Sequence, residues 1–65
     1  MTNTELKDVL MAGEPVTCND IEYKCVSAVI YRNEGGKLRI QAELLDRNAN
    51  SVSIASPDKI KRKGD

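Results

Sequence analysis

Few side chains in this chain could do chemistry, and their types narrow the reactions open to it. None of the 65 residues is histidine. Acid–base or nucleophilic catalysis needs a nucleophile beside a base, a pair of carboxylates, or a metal. Without histidine, the bases left are carboxylates and lysines scattered over turns and outward strand positions. Cys18 and Cys25 are too few for a disulfide framework and do not form a Cys-x-x-Cys motif. Two thiols with no imidazole leave a zinc shell unfinished, so both read as small buried hydrophobes. Ser27 and Glu43 would face each other across a hairpin, and their contact reads as an outer-face hydrogen bond. Gly35-Gly36 fits neither Walker nor Rossmann spacing and reads as turn chemistry. The residues therefore predict no enzyme, with no catalytic, cofactor-binding or metal site, no cofactor and no small-molecule substrate.

Binding is what remains. Ten basic and ten acidic residues cancel, so the global field favours neither nucleic acid nor an anionic membrane. The distribution is uneven. Residues 1–22 carry Glu5, Asp8, Glu14, Asp20 and Glu22 against Lys7 alone, whereas residues 59–63 read Lys-Ile-Lys-Arg-Lys. Such a basic end is either a solvated strand end or a contact for phosphate or an acidic partner. Val29, Tyr31, Arg39 and Gln41 are expected to cluster on the outer face of a central hairpin. Two apolar side chains there need cover. One arrangement lays an N-terminal helix over them. Another makes them a protein interface, where Tyr and Arg are enriched. A third stacks Tyr31 on a nucleobase while Arg32, Lys37 and Arg39 hold phosphate.

The size of the chain limits what can hold these residues. A domain of 65 residues buries only ~60% of the surface its unfolded chain exposes. There is no Trp or Phe, and only two Tyr, so Val, Ile, Leu, Met and Ala must form the core. Oligomerisation is a common remedy for so thin a core. No apolar run approaches the ~20 residues that span a bilayer, and no signal-peptide pattern is visible. A soluble, cytoplasmic protein of one domain is expected.

The positioning elements begin with a helix over residues 2–12. Thr2 and Glu5 form a capping-box pattern, with Met1 and Leu6 at the staple positions. Leu6, Val9 and Leu10 make one apolar stripe with Met11 at its edge. Gly13 and Pro15 end the helix. An isolated helix this short is unstable in water, so its stripe must dock. Residues 14–18 then form a strand, and an Asn19-Asp20 turn opposes Cys18 to Ile21 and Val16 to Tyr23, all on one face.

From Ile21 a long ribbon follows in which the inward set changes phase. Ile21, Tyr23 and Cys25 give way to Val26, Ala28 and Ile30. Strand side chains repeat every two residues, so this slip predicts a bulge or sharp bend between Cys25 and Val26. A three-residue loop at 34–36 would oppose Ile30 to Ile40, Ala28 to Ala42 and Val26 to Leu44, with Tyr31 against Arg39 and Val29 against Gln41. A third turn at 47–50 leads to residues 51–55 with Val52 and Ile54 inward. Opposing Leu44 to Val52 puts Ala49 at positive φ, which alanine dislikes; alternatively Leu44-Leu45 marks a second bulge. Ser56 to Lys59 reads as a single turn, either a plain turn or one turn of 3₁₀ helix, after which Ile60 returns to the core in a last strand.

This order of helix and five strands, with the Ser56-Pro57-Asp58-Lys59-Ile60 break before the last, resembles the SH3-like and Sm-like small barrels. An N-terminal helix before five strands is similar in particular to the bacterial Sm-like RNA chaperones. The resemblance rests on lengths and turns over most of the chain. The Sm family's Gly and Asp positions are not recognisable, since the small residues here are Ser27, Ala28 and Ala42. No RNA-binding or ring-forming residue is therefore carried across. The chain also resembles short uncharacterised proteins of bacteria and their prophages. The expected fold is mainly β, a five-stranded SH3-like barrel over residues 14–63 behind one helix. The expected function is a non-enzymatic interaction module, bacterial or phage-encoded. It would bind protein, or a copy of itself, through the outer face of residues 27–43. The alternative is a weak nucleic-acid binder using Arg32, Lys37, Arg39 and the basic end of Lys59, Lys61, Arg62 and Lys63. Salt separates the two, because phosphate contacts weaken steeply with ionic strength.

Overall fold

The computed structural model describes residues 1–63. Helix α1 spans Asn3–Ala12. Six strands follow: β1 (Val16–Cys18), β2 (Ile21–Tyr23), β3 (Cys25–Glu34), β4 (Lys37–Leu45), β5 (Val52–Ala55) and β6 (Ile60–Arg62), with a 3₁₀ turn at Pro57–Lys59 before the last. They form two three-stranded antiparallel sheets, ordered β2-β1-β6 and β3-β4-β5. The expected closed five-stranded barrel is not formed. Its long second strand breaks at Lys24, whose N–H leaves the first sheet and donates to the Leu45 carbonyl (2.8 Å). β5 pairs only with β4 and β6 only with β1, so each sheet keeps two edges.

Local sequence accounts for the helix. The Thr2 hydroxyl accepts from the Glu5 N–H (3.1 Å) while the Glu5 carboxylate accepts from the Thr2 N–H (3.0 Å), closing the capping box. Gly13 ends it in the left-handed conformation at φ 67°, and its N–H returns to the Val9 carbonyl. Leu6 and Val9 are fully buried; with Val16, Cys18, Val26, Ala42, Leu44 and Ile60 they form a core drawn from the helix and both sheets. The stripe predicted from the sequence therefore docks inside its own chain, with α1 packed on β3.

The first turn follows its expected register, Cys18 opposite Ile21 and Val16 opposite Tyr23. Asn19 and Asp20 both take positive φ, 52° and 65°, the pair that a two-residue type I′ hairpin requires. Ile21 does not join the core, however, and remains 56% exposed on the edge strand.

The central hairpin departs from expectation by one residue. Gly35 and Gly36, at φ 59° and 86°, make a two-residue turn and pair Glu34 with Lys37. Two adjacent glycines supply both positive-φ positions of a turn whose twist matches the strands, and this displaces the three-residue loop. A one-residue change of register exchanges the faces of a strand. Tyr31 now opposes Ile40, Val29 opposes Ala42 and Ile30 opposes Gln41. A bulge between Val26 and Ala28 absorbs the extra residue and restores Val26 to Leu44. The phase slip thus exists, but at Ser27 rather than between Cys25 and Val26. Ala28 and Ile30 lie on the face opposite to Val26, away from the core.

At the third turn Leu45 opposes Val52 and Leu44 opposes Ser53. Ala49 does adopt positive φ, 58°, inside a four-residue loop. Its strain is offset by Asp46, whose carboxylate accepts from the Asn50 N–H (2.8 Å) and the Ser51 hydroxyl (2.9 Å). Val52 and Ile54, expected inward, consequently point outward with Leu45 and Glu43.

Candidate functional site: the outer face of the second sheet

The register divides the residues expected to act together. Val29 and Tyr31 face α1: Val29 packs against the core, and the Tyr31 hydroxyl donates to Asn3 Oδ1 (2.7 Å). Arg39 and Gln41 project from the other side, with Arg32 and Ile30. The cluster of Val29, Tyr31, Arg39 and Gln41 is therefore not one surface. The same division removes the stacking arrangement in which Tyr31 and Arg39 share a ligand.

What the outer face does bring together is Ile30, Arg32, Arg39 and Gln41, with Val52 and Ile54 on the neighbouring strand. Arg32 and Arg39 are direct cross-strand partners. Like charges placed opposite each other are destabilising unless something negative lies nearby. One neighbour supplies a neutral acceptor and the other the negative charge. Arg32 Nε donates to Gln41 Oε1 (3.0 Å), and Arg39 Nε pairs with Glu34 Oε2 (3.2 Å). These residues and Asn33 line an open groove at the tip of the hairpin. Further along the sheet, beyond Gln41, Ile54 (47% exposed) stands opposite Glu43 and Val52 (51% exposed) opposite Leu45.

The remaining basic residues lie elsewhere. Lys59 and Lys61 border a cleft with Thr17, Asn19 and Asp20 on the first sheet. Lys63 Nζ pairs with Glu22 (3.4 Å), and Arg62 Nε lies 4.0 Å from Glu14. The basic end is thus partly tied to the acidic N-terminal third, and β6 belongs to a different sheet from the strands that carry Arg32, Lys37 and Arg39.

The Ser27 hydroxyl does meet Glu43, donating to Oε1 (2.8 Å) and lying 3.3 Å from the Glu43 carbonyl oxygen. Both residues are at the bulge, where this bond fastens the displaced residue to β4. Cys18 is buried and Cys25 half-buried, both as free thiols. Among the described residues no cluster of three or more His, Cys, Asp or Glu side chains could hold a metal, and no helix is long and apolar enough to cross a membrane.

Ile30, Val52 and Ile54 are the surface residues that the alternation pattern concealed, because their types and spacing also suit a core. The Gly-Gly dipeptide was the signal that could have exposed Ile30, since it favours the two-residue turn. Comparison with family models, with curated proteins and with solved structures finds no match.

Proposed function

We propose that this protein is a small, non-enzymatic binding module of the cytoplasm, bacterial or phage-encoded, which docks a protein segment bearing acidic and apolar side chains. The docking surface is the outer face of the β3-β4-β5 sheet. One observation carries the reading: the like-charged pair Arg32 and Arg39 shares the outer face of one sheet with the half-exposed Val52 and Ile54, which lie about 13–20 Å further along it. A carboxylate between two guanidinium groups relieves their repulsion and accepts charge-assisted hydrogen bonds. An extended segment that runs on along the face would cover Val52 and Ile54, which then gain by leaving water. Two free thiols are consistent with a reducing compartment.

The test is capture of partners by the full chain from nuclease-treated bacterial lysate, at low and high salt. The Arg32→Gln, Arg39→Gln double variant is expected to lose an acidic protein partner that a Lys61→Gln control retains. Moderate salt weakens but does not abolish the contact. Capture unchanged in the double variant would reject this surface. Material that is nucleic acid, with affinity falling steeply as salt rises, would reject the protein partner.

A further inference from the structure

A sheet edge offers unpaired backbone N–H and C=O groups to any strand that approaches, and proteins blunt such edges with charge, proline, bulges or cover. Three of the four edges here are treated in that way. β2 carries Glu22 and is followed by Lys24, and β6 carries Lys61 and Arg62. β3 has the bulge between Val26 and Ala28 and packs against α1. β5 differs. Its sequence Val52-Ser53-Ile54-Ala55 has no charge and no proline, and its ladder with β4 runs unbroken.

The groups on that edge can be identified. The Asp46 N–H donates to the Ser51 carbonyl (3.0 Å). Hydrogen-bonded and non-bonded pairs alternate along an antiparallel ladder. Asp46 with Ser51 is therefore followed by Leu44 with Ser53 and by Ala42 with Ala55 as bonded pairs. Val52 and Ile54 turn their own N–H and C=O groups to the open side.

We infer that β5 is the edge through which two copies of this chain pair, antiparallel and about a twofold axis, to join their β3-β4-β5 sheets into one. Residues directly opposite in such a pair share a face, so Val52, which points outward, must meet another outward residue. Centring the twofold on Ser53 opposes Val52 to Ile54 of the second copy, and Ile54 to its Val52. This single register satisfies every N–H and C=O that the two residues turn to the edge. It also sets their side chains side by side on the outer face, where each covers one flank of the other. Ten positive and ten negative residues leave no net repulsion between copies. A small core gains from association in this way. The dimer uses the backbone edge rather than the arginine pair, so it goes beyond the proposed function and is tested without any partner.

Sedimentation velocity on the full chain, from low micromolar to submillimolar concentration, gives the answer. The expected mass rises to twice the 7.2 kDa of one chain and stops there. Val52→Lys places a charge on the edge and is expected to weaken dimerisation at least 100-fold with an unchanged circular dichroism spectrum. Ile54→Pro removes an edge N–H without removing a bond to β4, and is expected to do the same. A monomer at every concentration overturns the inference, as does a larger ring or open-ended assembly. So does a dimer that persists in Val52→Lys, which decides the matter alone if Ile54→Pro fails to fold. Partner capture lost in the arginine variant while the dimer remains would separate the two surfaces.

Discussion

The hydroxyl of Tyr31 donates a 2.7 Å hydrogen bond to Oδ1 of Asn3, the first residue of the helix, and so ties the middle of β3 to the point where α1 begins. The ring lies on the helix side of the sheet, although 47% of the residue stays exposed. Its contribution is accordingly to the stability of a single chain. Tyr31→Phe deletes one exposed hydrogen bond and is expected to cost about 0.5 kcal/mol. Tyr31→Ala also removes the ring and is expected to cost about 1–2 kcal/mol. Thermal melts monitored by circular dichroism would show the second as a fall of several degrees. Partner capture through the opposite face should be unaffected in both variants, and a selective loss of capture with an unchanged melting temperature would contradict this placement.

The turn at Gly35-Gly36 makes a sharper test, because a Cβ added at either glycine would meet nothing within 4 Å. Any cost is then purely backbone. At φ 59°, position 35 suits asparagine, the residue preferred there in two-residue hairpins, whereas φ 86° at position 36 lies beyond the usual left-handed region. Gly35→Asn is expected to be neutral or slightly stabilising. Gly36→Ala is expected to cost about 1–2 kcal/mol. Chemical denaturation measures both, and a Gly35→Asn variant that loses as much stability as Gly36→Ala would contradict the two-residue turn.

These two sites show which parts of the architecture could be read from residues. The helix was legible because its signals are local: Thr2 with Glu5, the Leu6-Val9 stripe, and Gly13 at the end. The Asn19-Asp20 hairpin was legible because turn length and alternation agree there. In the central hairpin they conflict. β3 has apolar residues on both faces (Val29 and Tyr31 on one, Ala28 and Ile30 on the other), so alternation cannot choose between registers one residue apart. The bulge at Ser27 then let Val26 keep Leu44 under either choice. The wrong register carried the candidate site with it, placing Tyr31 beside Arg39 when the two lie on opposite faces. The barrel failed for another reason. β5 and β6 are only four residues apart, but the turn between them sends each to a different sheet, and its residues do not encode whether the two strands pair.

Ala49 holds a conformation that suits glycine better. Its φ of 58° costs an L-residue roughly 1 kcal/mol or more relative to glycine. The surrounding loop is fixed by other contacts: the Ala49 N–H donates to the Asp46 carbonyl (3.0 Å), and the Asp46 side chain holds Asn50 and Ser51. Ala49→Gly should therefore keep the loop and stabilise the fold by about 0.5–1 kcal/mol, after the larger chain entropy of glycine in the unfolded state is subtracted. A denaturation midpoint that falls would mean that another contact at Ala49 outweighs the strain.

Acid should weaken the fold through two carboxylates. Hydrogen bonds from the Asn50 N–H and then the Ser51 hydroxyl hold the Asp46 carboxyl below its ordinary value, and bonds from the Thr2 backbone and side chain do the same for Glu5. Both folded values thus lie below the unfolded ones. The stabilisation is complete above the unfolded values, about 4 for these acids, and is lost as pH falls through the lowered folded values. Melting temperature should accordingly be level near neutrality and drop below about pH 4. Asp46→Asn cannot gain or lose that proton. It should melt lower than the wild type at neutral pH, and the gap should close as acid protonates the native carboxylate. Curves that stay parallel from neutral to acid would show that the hydrogen bonds to Asp46 do not distinguish its charged form from its neutral one.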